Sequence, residues 1–295
     1  MRERYGRLCR EFGDSWVAER LRGGSKKGVY RLTFDDGRTA VVYDWDESEN
    51  YWPTPQESTG LALFLNNHAL LGALGVRVPR IYATGADLAL VEDVRGGTLE
   101  ARLETDGAAT TLTRLRAALE KMRAYGGQRH GRPCEDVVLE HARADLAHAA
   151  ENEERIGRAY DVLERRLAAL RESVEPRERY ALIHGELGPD HVLVDDDGDP
   201  VLIDIEAARV FDVEWEHVFL ELRFGDHYPA LRIDGLDGRR MEFYRLAMHL
   251  SLVAGPLRLL EGAFPERELM VDIVRHNTEC ALRLTGALAR DAVPS

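Results

Sequence analysis

The sequence predicts an α+β fold, and three observations carry that prediction. Up to Val94 the chain is a series of short runs, either alternating apolar with polar residues or bounded by Gly, Pro and Asp, as strands are. From Thr110 to about Val174, and again from Glu221 to Leu288, apolar residues recur at helical spacing with Glu and Arg opposite them. Between those helical stretches, residues 182–206 hold two apolar runs and a polar segment carrying two His, a Glu and an Asp.

Taken in order, Arg2 to Phe12 reads as a short amphipathic helix. Trp16 to Leu21 alternates as a strand, and the segment Arg22-Gly23-Gly24-Ser25-Lys26-Lys27-Gly28 interrupts it. Val29 to Phe34 forms a second strand, turns at Asp35-Asp36-Gly37, and Thr39 to Tyr43 completes an antiparallel meander. The aromatic stretch Tyr43-Asp44-Trp45 and Tyr51-Trp52-Pro53 either stacks on a ligand ring or packs the edge of this sheet. After Glu57 a helix is expected from Thr59 to Leu74, stopped by Gly75. Val76 to Ala83 and Leu88 to Val94 read as two more strands, the second running into Arg95-Gly96-Gly97, with Thr98 suited to cap a following helical turn. Leu112, Leu115, Leu119 and Met122 share one face of the next helical stretch, which Gly126-Gly127 and Gly131-Arg132-Pro133 break. The last stretch turns at Asp226, Asp237-Gly238 and Pro265.

Composition bounds the function. A chain of 295 residues, 44% of them hydrophobic, buries a large core as one domain or two lobes. The net charge of −13 argues against a nucleic-acid partner and suits a cationic small molecule, although an acidic surface also serves solubility alone. No apolar run is long enough to span a bilayer, and the charged start Met1-Arg2-Glu3-Arg4-Tyr5 has no apolar core behind it, so neither a membrane anchor nor a secretory signal is expected. Cys9, Cys134 and Cys280 are far apart without metal-like spacing and are expected as free thiols in a reducing cytoplasm.

The densest chemistry lies in Ile183-His184-Gly185-Glu186-Leu187-Gly188-Pro189-Asp190-His191, followed by Val192-Leu193-Val194, a turn at Asp195 to Pro200, and Val201-Leu202-Ile203-Asp204-Ile205-Glu206. Two apolar runs around an Asp- and Gly-rich turn predict a hairpin, which brings the polar loop and Asp204 close together. This segment resembles the catalytic and metal-binding core of the aminoglycoside phosphotransferase family, which has a bilobal, protein-kinase-like fold. The family pattern is His-Gly-Asp, four residues, Asn, strand, turn, strand, Asp-x-Asp/Glu. Here Glu186 stands at the catalytic Asp and His191 at the metal-binding Asn, while Asp204 and Glu206 match the two later acids. Further on, Asp212 and Glu216 match two acids of a Gly-Asp-Pro-x-x-Asp motif, the second of which braces the catalytic loop. Glu in place of Asp at both 186 and 216 suggests a coordinated adjustment of the loop.

The resemblance implies a lobe over residues 1–94 that covers the nucleotide, with a small antiparallel sheet and one main helix. A larger, mostly helical lobe over 95–295 would carry the catalytic loop and substrate site. It makes Gly24, Ser25, Lys26 and Lys27 a nucleotide-covering loop, whose backbone cradles phosphates. It makes Glu92 to Val94 a hinge whose main chain binds the purine edge. The family places a Lys near the end of the third strand, where this chain has Tyr43. Lys26, Lys27 and Lys121 are its only lysines, so either Lys26 or Lys27 has taken over the phosphates, or both are solvated turn charges. Glu57 either pairs with one of them or sits in a first helical turn, where negative charge is favoured.

Phosphoryl transfer needs positioning and charge neutralisation. On the family's pattern Glu186 takes the acceptor's proton, Asp204 holds Mg²⁺ with Glu206 and His191, and ATP donates the phosphoryl group. Imidazole suits softer ions, which makes Mn²⁺ an alternative to Mg²⁺; His191 instead serves as a donor to phosphate or Asp204 if it does not ligate. His184 reads as a residue bracing the loop. Arg223, His227, Tyr228, Glu221 and Asp226 either line a substrate pocket or lie on the surface. The leading expectation is an ATP-dependent kinase acting on a hydroxyl of a small molecule, such as an antibiotic or another natural product, with a Ser/Thr kinase of a biosynthetic peptide as a variant. The competing one is a degenerate kinase fold that binds a nucleotide or protein partner without catalysis.

Overall fold

The computed structural model describes residues 2–13, 15–21, 23–53, 60–105, 107–128 and 131–285. In chain order the helices are α1 (Arg2–Gly6), α2 (Leu61–Ala73), α3 (Ala108–Ala124), α4 (Cys134–Asn152), α5 (Glu154–Glu172), α6 (Val213–Phe224), α7 (Gly238–Glu261) and α8 (Arg267–Leu284). The strands are β1 (Trp16–Arg20), β2 (Gly28–Phe34), β3 (Thr39–Asp44), β4 (Ile81–Thr84), β5 (Leu88–Glu92), β6 (Gly126–Gln128), β7 (Arg179–Ile183), β8 (Val192–Val194), β9 (Pro200–Leu202) and β10 (Arg209–Phe211). The chain forms two compact units, one of Met1–Met122, Glu186–Ala208 and Asp226–Leu231, the other of Arg123–Gly185, Arg209–Gly225 and Arg232–Ser295.

The first unit is built on an antiparallel sheet in the order β1-β2-β3-β5-β4. Alternate residues Tyr30, Leu32 and Phe34 of β2 pack with Ala40, Val42, Leu88 and Leu90, and Tyr5, Leu8, Cys9 and Trp16 close over them. The other face of β3 carries Tyr43, whose ring meets Phe64 of α2 edge-on at 5.5 Å. β3 is therefore buried on both sides, as its apolar run requires. Residues 192–202 form the expected hairpin, with Val192 opposite Leu202. Its turn closes through Asp195 N to Asp199 O (3.0 Å), and Gly198 takes φ +78°. Leu99 N donates to Val192 O (2.7 Å) and Val194 N to Gly97 O (2.9 Å), which ties 97–99 along the hairpin. Only Gly fits at 96, where a Cβ would lie 1.9 Å from Val194 O.

The second unit joins a small antiparallel sheet, β10-β7-β6, to helices α4 to α8. Leu146, Ile156, Leu163, Leu167, Phe243, Tyr244, Leu250 and Val253 are among its fully buried residues. A buried ionic network lies within it. Asp212 accepts from Arg177 Nη1 (3.0 Å), from Arg240 Nη1 and from the Tyr244 hydroxyl, while Glu214 takes both guanidinium nitrogens of Arg177 at 2.6 and 2.8 Å.

Several expected boundaries are corrected. The first helix ends at Gly6, and residues up to Phe12 follow as hydrogen-bonded turns, because glycine weakens the helix while Leu8 and Cys9 keep their core contacts. The strand expected from Val76 begins only at Ile81; Pro79 lacks an amide donor. The strand expected to reach Val94 ends at Glu92. After Thr98 comes a single 3₁₀ turn, Glu100–Arg102, with Thr98 Oγ1 accepting from Ala101 N at 3.3 Å. Gly126-Gly127 breaks the helical stretch by forming β6, an additional strand beside β7. The main helix runs from Leu61, and Glu57 and Thr59 lie outside the described residues. Cys9, Cys134 and Cys280 are free, as expected. No helix among the described residues is long and apolar enough to cross a membrane.

Removing one partner from a buried charge network leaves the others uncompensated. Asp212→Ala should cost about 3–5 kcal/mol of stability, and Tyr244→Phe about 1 kcal/mol. Denaturant unfolding of the two variants checks both values.

Candidate functional site

Asp204 follows β9 and takes φ 58° and ψ 41°, the only left-handed non-glycine among the described residues. Asp tolerates this region better than most side chains, and the conformation turns the chain into the single 3₁₀ turn Ile205–Ala207 that carries Glu206. The turn is held from α2, where Asn67 Nδ2 donates to the carbonyls of Ile205 (2.8 Å), Glu206 (3.2 Å) and Ala208 (3.0 Å). Trp45 Nε1 donates to Glu206 Oε1 at 3.2 Å. Trp45 belongs to the aromatic stretch expected either to stack on a ligand ring or to pack the sheet edge, and its indole here bonds an acid; the sequence reading does not include Asn67, for which the available signal is an Asn in the mostly apolar run Leu61–Ala73.

Lys27 reaches into this acid pair. Its Nζ lies 2.5 Å from Asp204 Oδ1 and 2.5 Å from Glu206 Oε1. It also lies 5.3 Å from the centre of the Tyr43 ring and 5.9 Å from that of Trp45. The cation is thus brought beside the strand position where the family pattern has its lysine. Burial works against the ammonium, but the carboxylates of Asp204 and Glu206 outweigh it and hold the group charged, above its ordinary value. Lys26 goes elsewhere: its Nζ is 4.0 Å from Glu186 Oε1 and 5.8 Å from the Trp52 ring centre. The loop between β1 and β2 is pinned by Trp52 Nε1 to Ser25 Oγ (2.7 Å) and Tyr51 N to Ser25 O (2.8 Å). Gly24 is required there, with φ +47° and room for no Cβ beside Lys27 O.

Gly24, Ser25, Lys26, Lys27, Glu186, Asp204, Glu206 and Ala207 line one cavity of about 60 Å³. His191 stands beside it, with Nε2 3.8 Å from Asp204 Oδ2 and 3.8 Å from Asp190 Oδ2. Its Nδ1 donates to the Glu186 carbonyl at 2.7 Å, which in the neutral ring places the lone pair on Nε2, the arrangement of a metal-ligating histidine. Glu92 and Val94 do not line the cavity. The Glu92 carboxylate is held by Arg77 at 2.8 Å through both oxygens, and Asp93 by Arg31 at 2.9 Å, so both acids fix this segment through their side chains. His227 Nε2 is 3.4 Å from Glu104, Tyr228 is buried, and Glu221 pairs with Arg245.

Hard oxygen donors from Asp204 and Glu206, with the oriented nitrogen of His191, suit a divalent ion in donor chemistry. Glu206 Oε2 is buried and has no hydrogen-bond partner. Among the described residues no cluster of three or more His, Cys, Asp or Glu is gathered as for a metal, and Lys27 lies against both acids.

In the second unit, Glu216 of α6 accepts from Gly185 N (2.7 Å) and His184 N (3.3 Å) at the end of β7, immediately ahead of Glu186 in the chain. Burial pushes this carboxyl up to about 7 against the opposing pull of the two amides and Arg209. The native state then keeps its proton to higher pH than the unfolded chain. The contribution is full below the ordinary value of 4.5 and is lost as pH rises to about 7. Unfolding free energies of the wild type should therefore fall across this window relative to Glu216→Gln, by roughly 3 kcal/mol; parallel curves for the two proteins would contradict it.

At the level of sequence, no curated protein matches the chain. Among solved structures, the choline kinase LicA from Streptococcus pneumoniae is similar with a TM-score of 0.69 at 14% identity, over 97% of this chain and 98% of that one. A thermostable mutant of the aminoglycoside phosphotransferase APH(4)-Ia gives 0.64 at 16% identity, over 98% and 100% of the two chains. Spectinomycin phosphotransferase APH(9)-Ia, solved with ADP and spectinomycin, gives 0.64 at 12%, over 96% and 98%. Identities this low carry the fold, which is protein-kinase-like, and leave the acceptor open. The phosphotransferase enzyme family itself is matched over residues 17–237, so the sequence pattern around Asp204 and the architecture that supports it agree: the chain belongs to the phosphotransferase enzyme family.

Proposed function

We propose that the protein transfers the γ-phosphoryl group of ATP to a hydroxyl of a small, cationic molecule. The observation that carries this reading is the charge arrangement of one cavity. A loop lysine, Lys27, reaches the Asp204–Glu206 pair, and a second, Lys26, faces the one other acid of the lining among the described residues, Glu186. Phosphates entering such a cavity meet two ammonium groups and the backbone of Gly24 and Ser25, which replaces the missing strand lysine from above. In this reading residues 1–94 cover the nucleotide, Glu92 to Val94 supply main-chain contacts to its base, and residues 95–295 provide the acceptor side.

Glu186 is half-exposed and accepts the proton of the attacking hydroxyl. Gly185, beside it in the chain, is fixed by Glu216, which limits the positions the carboxylate can take. Asp204, Glu206 and His191 would hold Mg²⁺ or Mn²⁺; once bound, the ion neutralises phosphate charge. A cationic acceptor fits the net charge of −13. The fold relatives include choline and ethanolamine kinases and phosphotransferases solved with hygromycin B or spectinomycin, several with ADP, AMP or AMP-PNP, which supports a nucleotide and a small hydroxylated amine here. The free cysteines support a reducing, cytoplasmic setting.

ADP release measured with ATP, a divalent ion and a panel of hydroxylated amines tests this function. Acceptor-dependent release is expected, and Glu186→Gln should lower turnover by about 10²–10⁴ with nucleotide affinity little changed. Nucleotide binding without transfer to any amine or to hydroxyl-bearing peptides would favour a non-catalytic kinase fold. Metal binding has its own test. With His191 as a ligand, the wild type should turn over with Mn²⁺ at least as well as with Mg²⁺, and His191→Asn should shift the ratio toward Mg²⁺ by roughly tenfold, because an amide oxygen is a harder donor than imidazole.

A further inference from the structure

We propose that Lys27 is a resident counter-cation of the Asp204–Glu206 pair, so that it and a divalent ion exclude one another and the ion enters with polyphosphate, not before it. The proposal deepens the nucleotide-dependent reading above and rests on it for the polyphosphate step. The exclusion itself stands on geometry.

Lys27 Nζ is 2.5 Å from an oxygen of each acid, and its side chain is 7% exposed, as against 22% for Lys26. An ion bridging the same two oxygens would sit within a few ångströms of that ammonium, and the two like charges repel there, with Lys27 and Glu206 shielded from solvent and Asp204 part-exposed. Removing both cations is no better, because Glu206 is itself buried and its second oxygen already has no hydrogen-bond partner. The pair therefore holds one cation at a time. The fold supplies that cation in a fixed place: the left-handed turn at Gly24 and the two bonds from Tyr51 and Trp52 to Ser25 set the loop down, and the Tyr43 and Trp45 rings flank the ammonium.

The size of the cavity points the same way. About 60 Å³ holds a few waters, well below the 300–1,000 Å³ of small-molecule sites. In the nucleotide-dependent reading, a nucleotide enters beside this loop. Its phosphates then offer Lys27 a replacement anion, and the acids are released to a divalent ion in the same step. No bond is made or broken; the exchange is of ion pairs only.

Mn²⁺ alone, titrated into nucleotide-free protein and followed by the loss of the free-ion EPR signal, tests the exclusion without any turnover. The wild type and Lys27→Arg should bind weakly, Lys27→Met at least tenfold more tightly, and adding Glu206→Gln to Lys27→Met should abolish the gain. Equal affinity of wild type and Lys27→Met would overturn the proposal. A second measurement uses the wild type only, so that a misfolded variant leaves no gap. The chain has three lysines, Lys26, Lys27 and Lys121. Acylation read by mass spectrometry should spare Lys27 and label it once saturating Mn²⁺ is bound at the pair; Mn²⁺ bound there with Lys27 still protected would sink the idea. ADP titrated without metal separates the two readings: no ADP binding alongside a tighter Lys27→Met removes the nucleotide step and leaves the exclusion intact.

Discussion

A buried carboxylate stays ionised only beside a compensating positive charge. Glu206, buried beside the part-exposed Asp204, poses that requirement, and much of the first unit answers it. Lys27 supplies the charge, and it can do so only because the loop that carries it is bent at Gly24 and fastened to Ser25 by Tyr51 and Trp52. The acids in turn hold their positions because Asn67 grips three carbonyls of the turn after Asp204 and Trp45 fixes one oxygen of Glu206. Helix, sheet edge, loop and hairpin are thereby tied to one ammonium ion.

Much of this was legible in the chain. The alternation in β2, the double-sided apolar run of β3 and the Asp- and Gly-rich turn at 195–199 each dictate their local structure, and each forms as expected. The failures are physical too. Residues 76–80 alternate apolar and charged residues as a strand does, but pattern does not show which segments find a ladder partner, and Pro79 cannot donate to one. Gly126-Gly127 was recognisable as a break, while its pairing with β7 depends on residues far along the chain.

At the site, Asp204, Glu206, Glu186 and His191 were visible because chemistry and spacing coincide in one short motif. Lys26 and Lys27 were indistinguishable in sequence, since adjacent residues of a turn project to different sides and nothing local says which side holds the acids. Asn67 lies 138 residues from Ile205, in a helix that is mostly apolar. A polar residue in such a run signals a partner without naming it.

The left-handed backbone at Asp204 divides the substitutions that position can accept. Side chains other than Asn, Asp and Gly meet a steric cost of roughly 1–2 kcal/mol there before any charge is considered. Alanine consequently changes two properties together, the fold of the turn and the charge facing Lys27. Asparagine keeps the backbone and removes only the charge, and glycine keeps the backbone while removing the side chain altogether. The series Asp, Asn, Gly and Ala at this one position thus separates what the acid does as an ion from what it does as a corner in the chain.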